Sequence, residues 1–146
     1  VVGLYTAAHA GAPMQSHSVV ELISGLGIAG DRYAGGLGYW SDPRWPDQEL
    51  TLIEAEVAEE LGVEPACLRR NIVTRAVRLN HLVGAGFQIG DTLLVGVRWC
   101  DPCRYLDGLT QPGLSRALRG RGGLRVHIAR GGTIRVAERL VIVRPN

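Results

Sequence analysis

Apolar positions in this chain mostly recur at every second residue over short runs, the period of a half-buried strand. Val1 to Ala8 reads as a strand, and Gly11-Ala12-Pro13-Met14 as a turn into a second strand near Ser18 to Leu22. Ile72 and Val73, flanked by polar residues, read as a buried strand. Gly90-Asp91 is a hairpin signal between Phe87-Gln88-Ile89 and the run Thr92 to Val97. Leu124 to Ala129, Thr133 to Val136 and Leu140 to Val143 read as closing strands, with His127 alternating among apolar neighbours as half-buried structure.

The period changes in only a few places. Thr51-Leu52-Ile53-Glu54 fits a capping box, with Ile53, Val57 and Leu61 as an apolar stripe and Gly62 as the stop. On that reading Glu56, Glu59 and Glu60 form a solvated face. Short helices are expected after the cysteine pair, over Arg104 to Leu109, and near Leu114 to Leu118 past the Pro112-Gly113 break. Strands outnumber helices and are joined mainly by short turns. The expected fold is mainly β, a barrel or compact sheet with two or three peripheral helices. No repeat or linker divides residues 1–146, so a single domain is expected.

Composition narrows the chemistry. A chain of 146 residues can bury a real core without disulfide staples, and three cysteines do not make a secreted disulfide framework. No apolar run spans a bilayer and no signal peptide is visible, so a cytoplasmic protein without membrane attachment is expected. The chain begins at Val1, which leaves room for a preceding segment. The net charge of +2 is too small to argue for nucleic acid. All sixteen basic residues are arginines, which offer planar, bidentate donors to phosphate wherever they cluster.

Two clusters stand out. Arg69 and Asn71 before the Ile72-Val73 strand, with Arg75 after it, suggest a phosphate or carboxylate clamp. Arg116, Arg119, Arg121 and Arg125 crowd around Gly120-Arg121-Gly122-Gly123, where amides and guanidinium groups could meet an anion. Gly25-x-Gly27-x-x-Gly30 imitates a dinucleotide fingerprint but lacks the following helix. It opens a long irregular region in which Asp31 and Arg32 either orient a ligand or form an ion pair. Cys67 reads as a small core residue and His81 as a structural one.

The organising feature is Trp99-Cys100-Asp101-Pro102-Cys103, a thiol pair delivered by a strand and flanked by Arg98 and Arg104. Dithiol exchange is one reading, yet too little chain remains after the pair for a thioredoxin-like fold. Structural zinc wants a complete tetrahedral ligand set, which Cys67 and scattered histidines supply poorly. A thiolate that binds a cofactor metal or carries sulfur, among phosphate-binding arginines, uses more of the sequence.

Gly30-Asp31-Arg32-Tyr33-Ala34-Gly35, Leu68-Arg69-Arg70-Asn71-Ile72-Val73-Thr74, Phe87-Gln88-Ile89-Gly90, Cys100-Asp101-Pro102-Cys103 and Gly131-Gly132-Thr133-Ile134-Arg135-Val136 occur in that order. Together they resemble a MOSC domain, the module named for the C-terminal domain of molybdenum cofactor sulfurases. The resemblance implies a MOSC-type β-barrel that binds molybdenum cofactor, its pterin phosphate anchored by protein. Cys103 would be the metal ligand or sulfur-carrying thiol, and Arg69 and Asn71 fall on the family's Arg-x-Asn element. Arg75, Arg121, Asp31 and Arg32 are added as cofactor-binding candidates. Two activities stay open: reduction of a small N-hydroxylated or N-oxide substrate with an external electron donor, or carriage of sulfur or cofactor from a donor protein through a Cys103 persulfide. A protein that kept the fold without the chemistry is a third class.

Overall fold

A computed structural model describes residues 1–38, 48–100, 104–109 and 113–143. In chain order the elements are β1 (Gly3–Thr6), β2 (Gln15–His17), β3 (Val19–Ile23), β4 (Gly27–Ile28), β5 (Leu50–Glu54), α1 (Ala55–Leu61), β6 (Ile72–Thr74), β7 (Gly86–Ile89), β8 (Thr92–Trp99), α2 (Arg104–Leu109), α3 (Leu114–Ala117), β9 (Leu124–Arg130), β10 (Gly132–Arg135) and β11 (Leu140–Ile142). Single 3-10 turns cover Pro65–Leu68 and Leu79–Leu82.

Eight strands form one curled sheet in the order β11-β7-β8-β9-β5-β6-β1-β2, and β10-β3-β4 form a second sheet. The fold is therefore mainly β, a half-barrel with helices outside it. Inside the curl lie Leu4, Leu50, Leu52, Ile72, Phe87, Leu94, Leu124, Val126 and Ile128, all fully or almost fully buried. Burying Phe87 alone contributes about 2–3 kcal/mol. The opposite face of β5 and β6 carries Ile53 and Val73, which pack with Ala55, Val57 and Ala58 of α1, Leu106 of α2, and Leu114 and Leu118 at α3.

Residues 50–54 differ from the helical expectation. They form β5, parallel to β6 and antiparallel to β9, and the helix starts only at Ala55. The Thr51 hydroxyl, expected to cap a helix, is used across the sheet by Asn71. With strands on both edges, Leu50, Leu52 and Ile53 are all buried and only Thr51 interrupts the run, a pattern that does not separate strand from helix. Gly62 does stop α1, in the left-handed conformation with its N–H on the Ala58 and Glu59 carbonyls. β8 runs two residues further than expected, to Trp99, with an irregularity between Gly96 and Arg98. Cys67 is only half-buried, within a 3-10 turn rather than in the core. Among the described residues no helix is long and apolar enough to cross a membrane.

Candidate functional site

The sheet lines up polar residues from five strands and, between β1 and β5, the residue just before β6. Ser16 of β2 opposes Tyr5 of β1. The Tyr5 N–H donates to the Asn71 carbonyl oxygen at 2.7 Å. Asn71 neighbours Thr51, Thr51 opposes Arg125 of β9, and Arg125 opposes Arg98 of β8. Directly opposed residues project to the same face of a sheet, so this rung runs along the outer face beside the helices.

Asn71 is the staple of the rung. Its Oδ1 accepts from the Thr51 N–H at 3.1 Å and the Thr51 hydroxyl at 3.2 Å, while Nδ2 donates to the Tyr5 carbonyl at 3.1 Å. One buried amide thus fixes β1, β5 and β6 relative to one another.

The two residues before it diverge because Arg69 takes a left-handed conformation, φ 56°, uncommon for a residue with a side chain. Arg69 reaches back to donate from Nη1 to the Ala12 carbonyl at 2.8 Å. Arg70 turns the other way, its Nε donating to the Gly122 carbonyl at 2.8 Å, and its terminal nitrogens make no hydrogen bond among the described residues. Gly123 adjoins it with φ 107°, and any Cβ there would overlap the Leu52 carbonyl oxygen and approach Arg70. The Gly123 carbonyl accepts the Cys100 N–H at 2.8 Å. Cys100, 1 % exposed, is a free thiol that belongs to neither apolar cluster.

Arg125 completes the arrangement at 8 % exposure. Its Nη1 donates to Gln48 Oε1 at 2.6 Å, and its buried Nε has no hydrogen-bond partner among the described residues. A buried guanidinium with a donor unmet among the described residues, opposite Arg98 and shortly after the Gly122-Gly123 turn that Arg70 reaches, is equipped to take an anion by charge-assisted hydrogen bonds.

Other expected site residues lie differently. Cys103, with Asp101 and Pro102, falls outside the described residues. Asp31 and Arg32 are buried together: Asp31 Oδ1 accepts from the Ala7 N–H and from Arg32 Nη1, both at 3.0 Å. Arg32 also donates from Nη2 to the Arg69 carbonyl and lies over the Tyr33 ring, 4.7 Å from its centroid. The pair holds the loop after β4 against β1 and the Arg69 turn.

Arg75 does not join Arg69 and Asn71 in a clamp. It pairs with Glu59 of α1, while Arg121 donates to Glu60 at 2.7 Å and to the Ala117 carbonyl at 3.0 Å. Nor are the α1 carboxylates merely solvated, since Glu56 also accepts the Ala76 N–H at 2.9 Å. The Arg75 hydrogen bond holds Glu59 below the usual carboxylate range. Arg70 and Arg125 are the residues whose position the sequence reading missed. The signal was present for Arg125, three residues after Gly122, but a strand register was needed to separate it from Arg116, Arg119 and Arg121.

Among the described residues no group of three or more His, Cys, Asp or Glu side chains could hold a metal ion.

Comparisons with known proteins agree with this architecture. YuaD from Bacillus subtilis superposes with a TM-score of 0.78 at 19 % identity, over 99 % of this chain and 94 % of that one. YiiM from Escherichia coli gives 0.67 at 19 % identity, over 98 % of this chain and 71 % of that one. YiiM from Geobacillus stearothermophilus gives 0.60 at 19 % identity, over 67 % and 55 %. A search of curated proteins returns no match. The model of the MOSC domain matches residues 45–141, a span that holds the Asn71 staple, Arg125 and the thiol pair, and the chain belongs to the MOSC domain family.

Proposed function

We propose that this protein binds molybdenum cofactor and reduces small N-hydroxylated or N-oxide compounds. The observation that carries the reading is Arg125, buried with an unused Nε donor, one rung from the end of the strand that delivers Cys100 and then Cys103. The donor set fits the cofactor's terminal phosphate: Arg125 has a buried Nε without a partner among the described residues, and Arg70, held by its Nε on the Gly122 carbonyl, has terminal N–H groups to offer.

In this reading Cys103 is the thiolate ligand of the metal. When bound, the cofactor supplies two-electron oxygen-removing chemistry. The protein's own part is positional. Arg125 and Arg70 hold the phosphate. Asn71 locks the three strands beneath it, so that the donors need no rearrangement on binding. The Cys100 N–H, tied to Gly123, fixes where the segment carrying Cys103 leaves the sheet. Asp31, Arg32 and Arg69 brace the adjoining loop, and Arg75 and Arg121 are left to fasten α1. Electrons come from an external donor protein. The expected setting is cytoplasmic, with no role for nucleic acid or membrane.

The test is the molybdenum and pterin content of protein made with a working cofactor pathway, comparing wild type, Cys103→Ser and Arg125→Gln. Near-stoichiometric metal and pterin are expected in the wild type. Cys103→Ser should lose the metal or change its spectrum, and Arg125→Gln should lower pterin retention at least tenfold. Wild-type protein free of pterin would overturn the reading in favour of a Cys103 sulfur carrier or a dithiol protein, which persulfide mass and redox potential would separate.

A further inference from the structure

The 3-10 turn Leu79–Leu82 lies across the end of the sheet at which β8 delivers Cys100. The Leu79 N–H donates to Glu54 Oε2 at the end of β5, Asn80 Nδ2 donates to the Gly120 carbonyl at 3.0 Å ahead of β9, and Val83 bridges Gly96 of β8. The turn, the last residues of β8 and the loop before β9 therefore form one continuous surface. That surface adjoins the candidate site through the same loop, where the Gly122 carbonyl receives Arg70 and the Gly123 carbonyl receives the Cys100 N–H.

It combines apolar and cationic groups. Trp99 is 53 % exposed, and among the described residues no other aromatic side chain is exposed. Val83 and Val97, on either strand of the bridge, are exposed as well. Arg78 enters the turn and Arg119 precedes Gly120; both are exposed, and neither makes an ion pair or a side-chain hydrogen bond among the described residues. Residues 77–85, 95–100 and 113–125 hold six arginines and no Asp or Glu, whereas the whole chain has a net charge of only +2, so positive charge is concentrated here. The carboxylates described against these segments, Glu54 and Glu60, are engaged by the Leu79 N–H and by Arg121. An exposed tryptophan among arginines is the composition of a protein-binding surface, and its charge selects an acidic partner.

Resting on the reductase reading above, we propose that this surface is the docking site of the external electron donor, and that the donor is a small redox protein with an acidic face. Trp99 is the apolar anchor, and Arg78 and Arg119 meet the donor's carboxylates. The place of Trp99 in the chain suits the task. Cys103 follows it by four residues, and four residues of fully extended chain span at most about 14 Å, so a donor seated on Trp99 has the thiolate of that reading within this reach. Each reduced donor gives up one electron and leaves oxidised. Two such electrons, with two protons from solvent, break one N–O bond of the substrate and yield the amine-type product and water. A donor that docks and leaves twice in each turnover is served by a small patch with steering charge rather than by an extensive interface.

The first measurement is calorimetric binding of an acidic flavodoxin to cofactor-free protein at low ionic strength. Wild-type protein should bind it, with an affinity that falls as salt is added. Trp99→Ala, Arg78→Glu and Arg119→Glu should each weaken binding about tenfold or more. Arg139→Glu makes the same change of charge ahead of β11, beside the Gly90-Asp91 turn at the opposite end of β8, and should leave binding within about twofold of wild type. Absence of wild-type binding, or an equal loss in Arg139→Glu and Arg119→Glu, overturns the proposal. The second measurement uses cofactor-loaded protein with benzamidoxime as the N-hydroxylated probe. With reduced flavodoxin, kcat/KM for the donor should fall about tenfold in Arg78→Glu and Arg119→Glu. Dithionite, which needs no docking, should drive both variants at the wild-type rate, with their pterin content unchanged. Equal losses with the two reductants, or no loss with flavodoxin, overturn the proposal. If loaded wild-type protein leaves the probe unreduced even with dithionite, the reductase reading is what has failed, and that shows before any variant is made.

Discussion

The two ends of β6 carry arginines of the same composition and opposite use. Before the strand, Arg69 is 9 % exposed and donates to a main-chain carbonyl of a distant turn, and Arg70 reaches the glycine turn next to Cys100. After it, Arg75 pairs with Glu59 at the surface, the two side chains 49 % and 58 % exposed. Buried groups must be matched in direction as well as charge, since an unmet donor or acceptor costs about 1–3 kcal/mol. Exposed pairs are screened by water and contribute little. Rigidity therefore collects at the leading end of β6, where the candidate site lies, and the trailing end only fastens a helix.

Breaking the buried end should have the largest effect. Asp31→Ala removes the partner of a buried arginine and the acceptor of the Ala7 N–H, and should cost about 3–5 kcal/mol in urea unfolding. Asp31→Asn should recover only part of this, because the Arg32 charge stays uncompensated. A loss below about 1 kcal/mol for Asp31→Ala would mean that this end is not the rigid one.

Asn71→Ala comes next, at roughly 2–4 kcal/mol, by leaving the Thr51 donors and the Tyr5 carbonyl without their partner. Hydrogen exchange would sharpen the comparison. Amides of β1 and β5 should exchange faster in Asn71→Ala, while those of α1 change little.

The exposed end should respond least. Glu59→Gln should change stability only slightly near neutral pH, and the change should shrink further as salt is added. The sign of its pH dependence follows from a folded pKa held below the unfolded one. The stabilisation is fully present above the unfolded carboxylate range and is lost as pH falls through the folded pKa. Thermal melts of wild type and Glu59→Gln should therefore converge in acid. A stability gap that persisted there would show that Glu59 does more than pair with Arg75.

Alternation and turn chemistry were enough to place most strands. The hairpin at Gly90-Asp91, the buried Ile72-Val73 strand and the α1 stop at Gly62 are local features that local sequence encodes. The MOSC resemblance was legible because its motifs keep their order along the chain. What sequence left undecided was pairing. Thr51 can cap a helix or serve a sheet, and it serves a sheet because β6 and β9 close on both its edges. Sixteen arginines look alike in one dimension, whereas register and burial divide the described ones into braces, surface pairs and the few placed beside the thiol strand. The same holds for His127, whose alternation with apolar neighbours gave its face but not Glu49, a partner that lies 78 residues away in the chain. A residue's chemistry follows from its type. Its role follows from which unmet donor or acceptor the folded chain brings to it, and long-range pairing alone decides that.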